Sequence, residues 1–410
     1  MLKKISVGQL STGMYIHELC SSWIDTPFWK KSFMLDEQAD LDSIIEAGIG
    51  EVWIDTDKGL DVPEDEVDTE ESAAEQQVFV PKPRIVFKKI APISMDEELG
   101  RAARIVDKSK QAVASMFNEA RMGKAVDADN AMPLVEEIAS SVMRNPGALI
   151  GLARLKTTDD YTYMHSVAVC ALMIALSRQL GLDDDKTRQA GLAGLLHDIG
   201  KMAIPPEILN KPGKLTDSEF TTIKKHPAEG HKMLLDAKGV GEVALDVCLH
   251  HHEKMDGTGY PERLSGDRIS LFARMGAVCD VYDAITSNRP YKQGWCPAES
   301  LRKMAEWSKG HFDETIFQAF LKSIGIYPVG TLVRLESGRL GVVVEQSIGK
   351  SMLSPKVRVF FSTKSMVHIA PELLDLAKLG VRDRIITRED AVTWGLKDID
   401  RYWLGDAVQD

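Results

Sequence analysis

The chain is poor in the features that mark several common protein classes. Its 410 residues include five cysteines, Cys20, Cys170, Cys248, Cys279 and Cys296, and no two of them form a CxxC pair. That excludes a disulfide framework and a cysteine-based structural zinc site, and fits reduced thiols in a cytoplasmic protein. No apolar run reaches the about 18 residues of a membrane-span candidate. The start, Met1-Leu2-Lys3-Lys4-Ile5-Ser6, lacks the apolar core of a secretory signal, so none is expected. Basic residues are fewer than acidic ones, 50 against 61, for a net charge of −11. Such a balance argues against non-specific binding of DNA or of an anionic membrane. Any anionic substrate must then be met by a local cluster of positive charge. Histidine is scarce too, at ten residues, yet three stand together at His250-His251-His252.

What is present is ordinary globular material, 44% apolar and 27% charged. At roughly 100–200 residues per domain the length allows several domains. Residues 1–60 alternate short apolar runs with turn signals and read as a small α+β domain. Strands are expected at Gln9–Tyr15 and Gly50–Ile54, a short helix at Ala39–Ala47, and a core containing Trp23, Trp29 and Trp53. Asp61–Glu75 holds eight acidic residues and no basic one, and Pro81 and Pro83 follow, so 61–93 reads as a solvated linker. From there the pattern is helical. Ser94–Arg121 is expected as one long helix in a spacer over 94–130, and a helical domain occupies 131–327. Thr216-Asp-Ser-Glu219 is a capping box that starts a further helix. Gly330–Glu345 alternates apolar and polar residues around a turn at Ser337-Gly338, and Val357–Phe361 reads as another strand. This predicts a small β-appendage over 328–370, then a helix and tail over 371–410. The fold class is mainly α: a helical bundle with a small α+β N-terminal domain and a short β-appendage. No internal repeat is evident.

The chemistry lies between Tyr161 and Lys292. His165, the pair His197-Asp198, His226, the pair His251-His252, and Asp280 are spaced by about a helix and a loop each. In a bundle that spacing brings one or two side chains from each helix to a common centre. Imidazole with carboxylate suits iron, manganese or zinc. Five imidazoles exceed what one ion with an open position needs. Adjacent helical residues point ~100° apart, so His197 and Asp198, or His251 and His252, can straddle two ions ~3.5–4 Å apart. Asp198 is assigned as the bridge. His165, His197 and Asp280 hold one ion, and His226, His251 and His252 the other. The aspartates fall in apolar helical segments, where an unpaired carboxylate is costly, so cations are required beside them. Lys201 can serve Asp198 or a phosphate. A lone histidine is more often a core residue than a ligand, and His17, His231, His311 and His368 take that reading. His250 is left out as a bystander.

These residues stand in an order that resembles the HD-GYP family, a subgroup of the HD superfamily of metal phosphohydrolases. The likeness runs from about Leu155 to Tyr327. It includes His197-Asp198-Ile199-Gly200-Lys201 and His251-His252-Glu253-Lys-Met-Asp256-Gly257-Thr-Gly259-Tyr260-Pro261. Lys225-His226-Pro227, Asp280-Val-Tyr282-Asp283 and Arg289-Pro-Tyr-Lys292 also fit. The first 60 residues resemble, more loosely, a small N-terminal domain of unknown function that precedes some members. The resemblance implies a cytoplasmic phosphodiesterase that opens cyclic di-GMP to the linear dinucleotide pGpG, with GMP as an open further product. It implies two divalent ions, iron or manganese, which polarise the phosphodiester and activate water. Members with three metals carry an acidic residue one turn before the first histidine. Here that position is Tyr161, with Asp159 and Asp160 off the face, so two metals are expected.

Substrate contacts are expected from Lys201, Arg289 and Lys292, which supply the local positive charge, and from Tyr260 beside the guanine. Glu253 and Asp283 are expected to bond the ligand histidines. The Gly259-Tyr260-Pro261 loop is the expected surface for GGDEF-domain cyclases, and an oligomer is open. Three other readings remain at this level: a non-catalytic cyclic di-GMP sensor, a phosphohydrolase of another nucleotide, and a di-iron oxygenase.

Overall fold

The computed structural model describes residues 2–19, 32–35, 41, 51–60, 90–155, 161–287, 294–347 and 351–405. It divides into two compact units, Met1–Pro83 and Arg84–Asp410.

The first unit holds an antiparallel sheet in the order β1 (Leu2–Ser6), β4 (Glu51–Asp55), β2 (Tyr15–Leu19), β3 (Phe33–Met34). Strand alternation puts Val52 and Ile54 inward with Ile5, Ile16 and Leu35. Trp53, between them in β4, faces the other way and is only half-buried. It is therefore not the core residue expected, while Trp23 and Trp29 lie outside the described residues. The strand expected over Gln9–Tyr15 is also displaced. Val7–Gln9 is a 3-10 turn, and Gly13 takes a positive φ of 93°, so the strand begins only at Tyr15. The helix over Ala39–Ala47 and the linker at Asp61–Glu75 lie outside the described residues, apart from the helical Leu41.

The second unit is helical, with a sheet packed against it. Its helices begin with α1 (Met95–Arg121), α2 (Met132–Arg144) and α3 (Pro146–Arg154). Ser94 and Glu97 close a capping box at the start of α1. The expected spacer is part of the core: Leu99, Ala102, Val113 and Phe117 of α1 are buried with α2 and α3. Glu98 of α1 is fully buried and accepts from Ser141 Oγ at 2.7 Å and from Arg144 Nε and Nη2 at 2.6 and 2.7 Å. This pair ties α1 to α2.

At the centre stands α4 (Tyr161–Gln179), buried on every face from Met164 to Ser177. An apolar helix without a polar side can be stable only when surrounded. Against it pack α1, α2, α3 and α5 (Asp184–Leu196), and the chain continues through α6 (Pro206–Leu209), α7 (Asp217–Ile223), α8 (His226–Leu235) and α9 (Glu242–His250). Then follow α10 (Leu271–Thr286), α11 (Pro297–His311) and α12 (Glu314–Ile324).

The sheet has the order β8 (Val367–Asp375), β7 (Lys356–Ser362), β6 (Arg339–Glu345), β5 (Leu332–Leu335), β9 (Ile385–Arg388). Leu340, Val342, Val344 and Phe360 join the helical core, and Val333, Val343, Val357 and Val359 form a second small core on the other face. The expectation of a helix and tail over 371–410 is corrected. β8 runs on to Asp375, β9 pairs with β5, and the described helix there is the four-residue α13 (Arg401–Leu404). The cause is tertiary. Trp403 of α13 is fully buried in the main core, which holds the tail back against the bundle.

Candidate metal centre

Five helices deliver the site. His165 projects from α4, His197 caps the C-terminus of α5, and Asp198 begins the 3-10 turn Ile199–Ala203 that follows. His226 opens α8, His251 caps α9 with His252 next to it, and Asp280 lies inside α10. The turn after α5 can approach α8 only because residue 200 is glycine. A Cβ there would stand 1.9 Å from the His226 carbonyl oxygen and 2.4 Å from Gly230 N. The backbone contact brings the His197-Asp198 pair up to His226.

The structure brings all seven expected ligands together. Three triads place one ligand atom per residue within 4.8 Å of one another: His165, His197 and Asp280; His226, His251 and His252; and His197, Asp198 and His251. Asp198 sits between the first two. Its Oδ2 is 3.3 Å from both His165 Nε2 and His197 Nε2, and its Oδ1 is 3.2 Å from His226 Nε2. Asp280 Oδ1 lies 2.9 Å from His165 Nε2. Six of the seven are buried, and His252, with 24% of its side chain exposed, is the one that meets solvent.

The imidazole tautomers follow from their partners. His197 Nδ1 donates to Gly194 O at 2.8 Å, His226 Nδ1 to Ile223 O at 2.8 Å, and His251 Nδ1 to Val247 O at 2.9 Å. A carbonyl only accepts, so each Nδ1 carries a hydrogen, and each ring in its neutral form turns an Nε2 lone pair inward. His165 Nδ1 is fixed in the same way by Asp283 Oδ2, at 2.6 Å.

This arrangement fits a cation. His226 Nε2 and His251 Nε2 face each other at 3.3 Å, lone pair to lone pair, and His197 Nε2 and Asp198 Oδ1 are buried without a hydrogen bond. The electrostatics agree. Burial and the neighbouring imidazoles hold His251 well below its ordinary pKa, and burial takes His252 down to about 3, so both are neutral bases. Burial also works against charge on His197, but the carboxylates of Asp198 and Asp280 overcome it and raise the ring to about 10. Positive charge is wanted at that point. Asp198 stays ionised despite burial through Lys201 and the histidines, and Asp280 through His165 and His197.

The other expected residues are placed as follows. Lys201 Nζ bonds Asp198 Oδ2 and keeps 20% of its side chain exposed. Tyr260 stacks on His252, with ring centroids 4.7 Å apart, and Lys224 Nζ lies over the Tyr260 ring, 5.2 Å from its centroid. Tyr161 stacks on His165 at 5.9 Å. Glu253 departs from expectation. It bonds no histidine but accepts from Glu262 N at 2.7 Å, closing the loop that carries Gly259, Tyr260 and Pro261. Arg289, Lys292, Asp159 and Asp160 lie outside the described residues. His250 bonds Asp246 and Glu262 away from the cluster. His17 and His368 are exposed and His231 and His311 half-buried, so the core reading of these four is corrected. Sequence reasoning missed Lys224 and the carbonyls of Gly194, Ile223 and Val247. Spacing of three or four residues before each histidine was the available signal for the carbonyls.

A family profile described as HD domain matches residues 134–316, and one described as a domain of unknown function, DUF3391, matches residues 2–131. The chain is 56% identical to a cyclic di-GMP phosphodiesterase of Pseudomonas aeruginosa over 406 residues, which is 99% of this chain and 96% of that one. It is 40% identical over 148 residues to a cyclic di-GMP phosphodiesterase response regulator of Xanthomonas campestris, covering 36% of this chain and 39% of the relative. A 3'3'-cGAMP-specific phosphodiesterase of Vibrio cholerae is 35% identical over 190 residues, 46% of this chain and 42% of its own.

Proposed function

Since this chain belongs to the HD-GYP family of HD-domain phosphodiesterases, we propose that it is a metal-dependent phosphodiesterase that hydrolyses cyclic di-GMP to pGpG. One observation carries the reading: the 56% identity to a cyclic di-GMP phosphodiesterase extends over nearly the whole of both chains. The donor set supports it. His165, His197 and Asp280 are suited to hold one divalent ion, and His226, His251 and His252 a second, with Asp198 shared. Bound there, iron or manganese ions supply Lewis-acid stabilisation of phosphoryl charge and of an attacking water.

The chain's own residues do the rest. Asp283 and the three backbone carbonyls hold the imidazoles in the ligating tautomer. Lys201 holds Asp198 in place and offers its partly exposed ammonium to a non-bridging phosphate oxygen, where it offsets negative charge as it develops. Tyr260, packed on His252, would flank a guanine. Arg289 and Lys292, just beyond α10, add the cationic contacts that a dinucleotide with two phosphates needs.

The test is anaerobic purification, metal analysis, and turnover of a panel containing cyclic di-GMP, 3'3'-cGAMP and a linear dinucleotide. About two metals per chain and preferential opening of cyclic di-GMP are expected. Faster opening of 3'3'-cGAMP would move the substrate assignment toward the Vibrio cholerae relative. Binding without turnover in metal-loaded protein would make the chain a sensor.

A further inference from the structure

A cavity apart from the metal ligands lies in the Arg84–Asp410 unit, formed by α3, α4, α10, the end of α12 and the segment after β6. Its volume is about 260 Å³, and none of the seven clustered ligands lines it. We infer that it is a binding site for a small organic anion, an aliphatic body ending in a carboxylate, held by Tyr282, Arg154 and Lys322.

The polar side includes the side chains of Tyr282, Arg154 and Lys322. Tyr282 is 3% exposed, lines the cavity, and its hydroxyl has no hydrogen bond among the described residues. Arg154 spends Nη2 on Asp400 at 3.1 Å, but its Nε is buried with no partner. Lys322 is exposed and has no ion pair among the described residues. Burial keeps the Tyr282 hydroxyl protonated, with the nearby Arg154 charge pulling against it, so it remains a donor. Of the three, Arg154 Nε is the buried donor without a partner, and such donors are rare in native proteins. Two carboxylates also line the cavity, and both are engaged elsewhere: Asp283 on His165, and Glu345 on Lys356 at 2.7 Å. A ligand carboxylate would supply the acceptor that these two do not.

The apolar side selects the body. Ile150, Leu172, Ile324 and Val329 supply aliphatic wall, and Tyr282 is the one aromatic among the described lining residues. Its ring is already set edge-on to Phe320, with centroids 5.2 Å apart. A nucleobase would lack a stacking face there, whereas an alkyl chain needs none.

Calorimetry on the full-length, metal-loaded protein tests this with octanoate, 1-octanol and GMP as probes. Octanoate is expected to bind one site per chain. Octanol should bind about tenfold more weakly or worse, because the donors then meet no charge. Tyr282→Phe and the exposed Lys322→Gln should each weaken octanoate about fivefold or more, with metal content and unfolding temperature unchanged. No saturable heat, equal binding of octanol, or variants that bind like wild type would overturn the site and leave its donors to water. GMP that displaces octanoate would overturn the aliphatic assignment. The readout needs no turnover, so its outcome is independent of the phosphodiesterase reading.

Discussion

Asp280 and Asp283 grip one imidazole from both ends. Asp280 Oδ1 stands 2.9 Å from His165 Nε2, and Asp283 Oδ2 accepts from His165 Nδ1 at 2.6 Å. Both carboxylates come from a single turn of α10, so one rigid element holds the His165 ring at both nitrogens. Asp283→Asn keeps the shape but removes the charge that anchors the ring. Metal affinity or turnover should fall about 10–100-fold, the usual effect of losing such a partner. Equilibrium dialysis against a graded metal buffer reads it, and an unchanged affinity would show that α4 packing alone orients His165.

Asp198→Ala removes the carboxylate that both halves of the cluster share. Bound metal should drop below one ion per chain and hydrolysis should vanish, while circular dichroism stays helical. A variant that keeps its full metal complement and its turnover would refute the bridging role.

Gly200→Ala puts a methyl group 1.9 Å from the His226 carbonyl oxygen. Overpacking of this kind costs about 1–3 kcal/mol, and more where backbone must move. The unfolding midpoint should fall, and the His226 side of the cluster should lose metal first. A midpoint within error of wild type would mean that the turn yields freely.

Glu98→Ala leaves Arg144 without its partner inside the α1–α2 interface. Breaking a buried pair on one side costs about 3–5 kcal/mol. Denaturant titration measures it, and a loss under about 1 kcal/mol, typical of a surface pair, would place the pair in water.

Arg289→Ala should raise the Michaelis constant for cyclic di-GMP with metal content unchanged. An unaltered constant would remove Arg289 from the substrate contacts.

Much of the centre was legible in the chain because its ligands are side chains in short fixed patterns. His197-Asp198 and His251-His252 sit at helix ends, where apolar periodicity stops, and Asp280 interrupts an apolar helix. The parts that were not legible depend on tertiary placement. Glu253 has the right neighbourhood for a histidine partner, yet the loop to Glu262 folds back and takes it. The strands after residue 371 form because β7 and β5 offer free edges and Trp403 anchors the tail, neither of which a local pattern records. Trp53 reads as core by composition, but strand alternation turns it away from Val52 and Ile54. Tyr282 stands in a stretch that fits the family pattern, and the fold directs it into the cavity away from the metal ligands.

Three of the buried imidazoles take their tautomer from main-chain oxygens, those of Gly194, Ile223 and Val247. An oxygen of the backbone is present whatever side chain stands at its position. The proton inventory of the centre is therefore insulated from substitution at those sites so long as the helices keep their path. His165 differs, because its orienting partner is a replaceable carboxylate. Genetic drift can reach the protonation state of this centre most directly through Asp283.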